Sequence, residues 1–157
     1  AWAGNEVTTP TESIDITPTI LDWIGREAPT SMDGRSLLPL LRGAVPSDWR
    51  SATFSELDFG DPVSPTLWQT MLGTNLRDSC LSILRDERFT LVEFAADLPP
   101  LLFDHKAEGE EKNVAMQAEY ASDLARMSRQ MLRFRMKHTD QTLSSAAITP
   151  EGVKWHR

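Results

Sequence analysis

Two stretches lying almost back to back, SCLSILRD (79–86) and RFTLVEFA (88–95), constrain the fold more than any other feature of this chain. In the first, Cys80, Ser82 and Leu84 alternate with Leu81, Ile83 and Arg85. A period of two places alternate side chains on opposite faces of an extended strand. The turn between the runs centres on Asp86-Glu87, so the pair predicts an antiparallel hairpin. SATFSELDF (51–59) alternates with imperfect phase and reads as a strand before the hairpin, with 60–75, which holds Pro62, Pro65 and Gly73, as a long loop. PLLFD (100–104), after Pro99-Pro100, reads as a short strand behind it. Strands in unbroken succession give an antiparallel meander, here of four. A long helix follows from about Met116 to His138. Tyr120, Leu124, Met127, Met131 and Phe134 fall on one face of it, while Arg126, Arg129, Arg133, Arg135 and Lys137 populate the rest. The apolar stripe is the face that packs on the sheet. The fold class expected is α+β: a four-stranded antiparallel sheet packed against a long C-terminal helix, with two short helices in an N-terminal arm.

The arm is unusually apolar for a segment so near a chain end. In ESIDITPTILDWIG (12–25), Ile16, Ile20, Leu21, Trp23 and Ile24 crowd within nine residues. A helix over Ile16–Ile24 is expected, with Asp15 as N-cap, Pro18 tolerated in the first turn, and Gly25 at the left-handed C-terminal position. A loop with Pro29 and Asp33-Gly34 leads to a second short helix, Leu37–Arg42, capped by Ser36 and closed by Gly43, and Pro46–Arg50 forms a connector.

At 157 residues the chain is large enough for one domain with its own core. A net charge of -7 argues against nucleic acid and against an anionic membrane as partners, since both need a cationic surface. No apolar run approaches the roughly 18 residues of a membrane span. Ala1–Pro10 lacks the basic start and apolar stretch of a signal peptide, and Cys80, the one cysteine, makes no internal disulfide. A cytoplasmic location is the expectation. The first residue is Ala rather than Met, which fits either simple processing or a piece of something longer.

Each residue type capable of chemistry has a plainer reading. Cys80 sits mid-strand between Ser79 and Leu81, without the base or cation that makes a thiolate, and reads as a small buried residue. Asp104-His105 looks like a ligand pair, but metal sites need three or four converging donors, and His138 and His156 lie far off in sequence. All three histidines read as solvated. Glu108, Glu110 and Glu111 lack the order of a calcium loop and read as a solvated turn near a helix N-terminus. The arginines of the long helix could bind an anion, but such a face is more often solvated or in a subunit contact. No G-x-S-x-G and no glycine-rich phosphate loop is present. The residues alone give no self-contained active site.

ESIDITPTILDWIGREAPTSMDGRSLLPLLRG (12–43) resembles a segment late in sulfatases and their relatives. There a strand ends in an Asp-x-x-Pro-Thr helix, followed by a Pro and then Asp-Gly-x-Ser-Leu. The matching residues are Asp15, Pro18, Thr19, Pro29, Asp33, Gly34, Ser36 and Leu37. LRDERFTLVEF and LLFDHKAEGEEKNVA resemble the family's C-terminal hairpin and the signature after it, through Phe103, Asp104, Glu110, Asn113 and Ala115. His105 stands where leucine is usual, Glu108-Gly109 replaces Asp-Pro, and the loop is one residue shorter. WRSATFSELDFGDP (49–62), LPPLLFD (98–104) and RMSRQMLRFRMKHTDQTLS (126–144) are most similar to the phosphonate monoester hydrolase branch, which hydrolyses phosphonate, phosphate and sulfate esters.

The resemblance implies where the chemistry is not. The family nucleophile lies in a Cys/Ser-x-Pro-x-Arg motif and is oxidised to formylglycine, whereas Cys80 is followed by Leu81-Ser82-Ile83-Leu84. The family's Asp-His metal pair belongs to an earlier Ser-Asp-His-Gly motif, so Asp104-His105 is not given that role. The chain is therefore expected to hold no catalytic, cofactor-binding or metal residue, the divalent metal and formylglycine belonging to the parent enzyme. Residues 1–48 are expected to be the end of a large α/β catalytic domain, 49–138 a C-terminal subdomain, and 139–157 a polar tail. The partners implied are the N-terminal catalytic domain and further copies of the chain. The alternative is a stand-alone, non-catalytic interaction module derived from that family.

Overall fold

The structure is a computed structural model and describes residues 4, 6–107, 109–138 and 146–155. Four strands, β1 (Ala52–Asp58), β2 (Cys80–Asp86), β3 (Phe89–Phe94) and β4 (Leu101–Asp104), form one antiparallel sheet in chain order. The meander is as the sequence predicts. The hairpin turn is fixed by Asp86, whose Oδ1 accepts from the amides of Arg88 at 2.8 Å and Phe89 at 2.7 Å.

Register explains the core. Phe54 pairs with Leu84, Leu84 with Leu91, and Leu91 with Leu102, so one apolar row crosses all four strands. Leu84, Leu91 and Leu102 are buried together with Phe89, Val114, Ala115, Met127 and Met131. The two methionines come from the long helix, whose stripe lies on that row, and Phe134 stacks on Phe54 at 4.3 Å between ring centroids. The next row on the same face is Glu56, Ser82 and Glu93, which is why the alternation in β1 looked out of phase. The helix meets that polar row with polar groups: Arg135 lies 3.3 Å from Glu56, and Ser128 donates to Glu93 at 2.8 Å.

In the arm, a turn at Ser13–Asp15 leads into α1 (Ile16–Trp23), and α2 (Leu38–Leu41) follows. Gly25 closes α1 with φ 72°, the Arg26 amide reaching Leu21 O and the Gly25 amide reaching Asp22 O. That pair of bonds is the Schellman motif the sequence signalled. Between β1 and β2 the chain forms a helix, α3 (Leu67–Leu72), where the sequence reading expected loop. Thr66 and Gln69 cap it reciprocally: the Gln69 amide donates to Thr66 Oγ1 at 3.1 Å and the Thr66 amide to Gln69 Oε1 at 2.8 Å. The long helix is α4 (Ala121–His138), preceded by a separate turn at Ala118–Tyr120, so it starts later than Met116. In the C-terminal tail, β5 (Ala146–Thr149) and β6 (Gly152–Trp155) pair as an antiparallel hairpin around Pro150-Glu151. The rest of that tail, 139–145 and 156–157, lies outside the described residues. Among the described residues no helix is long and apolar enough to cross a membrane.

Among the described residues the apolar face of α1 is left uncovered. Trp23 is 77% exposed and Ile24 62%, with Ile16 and Ile20 at 55% and 50%. Among the described residues the sheet subdomain does not bury this helix.

Leu91→Ala should lower unfolding stability by about 2–5 kcal/mol, as a cavity in a packed core does. Leu57→Ala, at a half-exposed position of β1, should cost no more than about 1 kcal/mol. Urea denaturation of the two variants separates these outcomes.

Candidate functional site

The most organised polar cluster of the chain is built around Asp15, which is fully buried. The sequence reading made it the N-cap of α1, but its carboxylate makes no capping bond to that helix. The preceding turn already puts Asp15 in a helical backbone conformation (φ -75°, ψ -17°), and its side chain is turned to other donors. The amides of Glu12 and Arg35 each donate to it at 2.8 Å. The guanidinium of Arg50 grips both oxygens, Nη1 on Oδ2 and Nη2 on Oδ1 at 2.7 Å. Burial pushes the carboxyl up, but the bonds from Arg50, Arg35 and Glu12 outweigh it and hold Asp15 below the ordinary carboxylate value.

Several of the resembling residues of the arm lie in or beside this cluster. Thr19 Oγ1 donates to Asp15 O at 2.6 Å and accepts from the Leu37 amide at 2.8 Å. Ser36 donates to Asp22 at 2.5 Å. Gly34 lies so close to the arm that an added Cβ would stand 2.1 Å from Ile14 O. Only glycine fits there, and the constraint is approach rather than dihedral angle. Arg50 also lies 3.3 Å from Glu12, whose Oε1 accepts from the Phe54 amide at 2.8 Å, so the cluster runs into β1. Trp49 lies under the Arg50 guanidinium and donates from its ring nitrogen to Pro10 O at 2.8 Å. Sequence reading missed Glu12, Trp49 and Arg50. The only signal was that a carboxylate among isoleucines must find a cation.

A second buried carboxylate, Asp104, sits at the end of β4. Arg88 Nη2 lies 2.7 Å away, and the Lys106 amide donates to it at 3.0 Å. The Arg88 bond holds its carboxyl low, while burial and the nearby Asp104 charge push the Tyr120 hydroxyl up. His105, the next residue, turns away from Asp104. Its Nε2 is 3.0 Å from Thr90 Oγ1 and its Nδ1 is 3.8 Å from Glu110. The Asp104-His105 pair therefore does not converge on a point. Glu110 ion-pairs with Arg85, away from the start of α4, which corrects its expected place at a helix N-terminus. His138 pairs with Asp33 at 3.3 Å and stacks on Phe134, so it is not simply solvated. Glu108 and His156 lie outside the described residues.

Cys80 begins β2 opposite Asp58 and is half-buried. An open cleft of about 930 Å³ is lined by Thr8, Thr9, Thr11, Arg85, Glu87 and His105 among others. It brings a histidine near hydroxyls, but no nucleophile with a base stands in it. Among the described residues no three His, Cys, Asp or Glu side chains are grouped to hold a metal. The described residues thus offer structural carboxylate clusters and a polar cleft.

Comparison with known proteins bears on the same region. The family described as N-sulphoglucosamine sulphohydrolase, C-terminal, matches residues 3–61, the span that holds Asp15, Gly34 and Arg50. A multifunctional alkaline phosphatase superfamily protein of Trinickia caryophylli is 42% identical over 90% of this chain and 27% of its own length. The phosphonate monoester hydrolase of Silicibacter pomeroyi superposes with a TM-score of 0.85 at 59% identity, over 98% of this chain and 30% of that one. That of Agrobacterium radiobacter gives a TM-score of 0.80 at 37% identity, over 99% and 31%. The chain thus spans less than a third of the length of each of these relatives.

Arg50→Met leaves a buried, unpaired carboxylate and should cost about 3–5 kcal/mol by urea denaturation. Adding Asp15→Asn should recover part of that loss. On acidification, Asp15 contributes stability that is intact above the ordinary carboxylate value of 3.8 and is lost as pH falls below it toward the depressed native value. Asp15→Asn should therefore flatten the stability profile below about pH 4.

Proposed function

The chain belongs to the sulfatase and phosphonate monoester hydrolase family of the alkaline phosphatase superfamily, aligning with the C-terminal part of its members, and from that premise we propose that it is the C-terminal subdomain of a metal-dependent monoester hydrolase. The substrates proposed for the parent enzyme are phosphonate, phosphate and sulfate monoesters. The observation that carries this reading is the match of nearly the whole chain to under a third of the Silicibacter pomeroyi enzyme at 59% identity. In this reading the chain has a packing and oligomerisation role and no complete active site of its own.

Two features support it. The arm is fastened to the sheet by a buried ion pair, yet its helix α1 presents Ile16, Ile20, Trp23 and Ile24 outward. An apolar face of this kind on a well-fastened element is what a preceding catalytic domain would cover. A second apolar surface, with Val63, Leu67, Trp68 and Met71 exposed on and before α3, supports a contact with another copy. The divalent metal used by the family does not fit the residues described here. Asp104 is committed to Arg88, His105 to Thr90, and Asp15 to Arg50, so these groups are engaged with protein partners rather than turned toward a common metal position.

Expressed by itself with added divalent metal, the chain should show no turnover of an aryl phosphonate or aryl sulfate ester. The same reading frame extended upstream to include its catalytic domain should show metal-dependent turnover. Turnover by the chain alone would contradict the proposal.

A further inference from the structure

The charge of this chain is unevenly placed. Five of its 16 basic residues lie in α4, against one of its 23 acidic residues. Most of the cations elsewhere are paired: Arg50 with Asp15, Arg88 with Asp104, Arg85 with Glu110. On α4 itself, Arg126 is held by Asp86 at 2.9 Å and Arg135 by Glu56 at 3.3 Å. Arg129 and Arg133 have no carboxylate partner among the described residues. They stand one turn apart, on the side of the helix away from Met127 and Met131.

These two arginines line a groove of about 530 Å³ where α4 passes the start of β1. Its other polar side chains are Ser51, Ser122, Arg126 and Gln130. Every polar side chain in that lining can donate a hydrogen bond, and none is a carboxylate. Other grooves of the structure differ: one carries Asp86 and Glu87, another Glu6, a third Asp22 and Glu27. A lining without carboxylates and with two uncommitted guanidinium groups suits a tetrahedral oxyanion, because the planar fork of arginine bonds two of its oxygens at once. Arg126 is held by Asp86 at 2.9 Å and lies 3.6 Å from Asp123, so the uncommitted charge of the groove is that of Arg129 and Arg133.

We propose that the groove formed by Ser51, Ser122, Arg126, Arg129 and Arg133 is an oxyanion-binding site, taking phosphate or sulfate either as the free ion or as the head of an ester. It adjoins the cleft beside His105, sharing Ser51 with it, and needs no metal. The proposal does not depend on the parent enzyme's reaction, since it rests only on α4 and the start of β1.

The test is isothermal titration of the full chain, wild type and R129Q/R133Q, with inorganic phosphate and with phenyl phosphate at constant ionic strength. A Lys137→Gln variant removes a charge from the same helix outside the groove. Wild type and K137Q should bind, and R129Q/R133Q should bind at least about tenfold more weakly, the loss expected for two charge-assisted contacts. Phosphate favoured over phenyl phosphate would identify a free-ion site, and the reverse an ester-headgroup site. Equal binding by wild type and R129Q/R133Q, or equal losses in R129Q/R133Q and K137Q, would overturn the proposal. Both arginines are solvent-exposed, so R129Q/R133Q should keep the melting temperature of the wild type in chloride, and this measurement guards the comparison against misfolding.

Discussion

The ion pair between Asp15 and Arg50 is the interaction on which the rest of the arm depends. A carboxylate taken wholly out of water is costly unless its lone pairs are met, and here two amides and a guanidinium meet them. Each donor comes from a different part of the chain. Glu12 begins the arm, Arg35 belongs to the loop after α1, and Arg50 leads into β1. One buried charge thus fixes three segments that have few apolar contacts of their own. The close passage of Gly34 beneath Ile14 O and the Thr19 bridge to Leu37 are consequences of that arrangement.

The same arrangement gives the chain an uneven surface. The sheet and α4 bury a compact core of leucine, phenylalanine and methionine, so that part carries its own stabilisation. The arm does not. It is held by polar bonds, while its isoleucines and Trp23 face outward. Polar fastening with apolar exposure is the arrangement of an element that belongs to two bodies, clasped to one and ready to pack on another. The proposed role as a C-terminal subdomain of a larger hydrolase rests on that asymmetry together with the close likeness to about 30% of the length of two phosphonate monoester hydrolases.

Much of the architecture was legible because it follows from period. The hairpin of 79–95 and the stripe Tyr120–Phe134 each follow a single repeat, and both formed as expected. The helix at 67–72 was hidden by the prolines before it, although Thr66 and Gln69 spell its capping box. The hairpin at 146–155 is too short for periodicity to show. The polar clusters were less legible for a physical reason. Arg50 lies 35 positions from Asp15, and nothing in local pattern announces which cation a buried carboxylate will take. The family motif pointed to the right residues but not to their purpose. Asp15, Thr19, Gly34 and Ser36 are there to lock a loop to a helix, a role visible only once their partners are in place.

The central claim is that the arm and the sheet are one cooperative unit joined through Asp15. Native-state hydrogen exchange tests it most directly, because the Arg35 amide donates to Asp15 and the Leu37 amide to Thr19. The account predicts that these two amides exchange as slowly as those of Leu84 and Leu91 in the sheet, and that Asp15→Asn speeds the arm amides alone. Arm amides that exchange rapidly in the wild type while the sheet stays protected would contradict it.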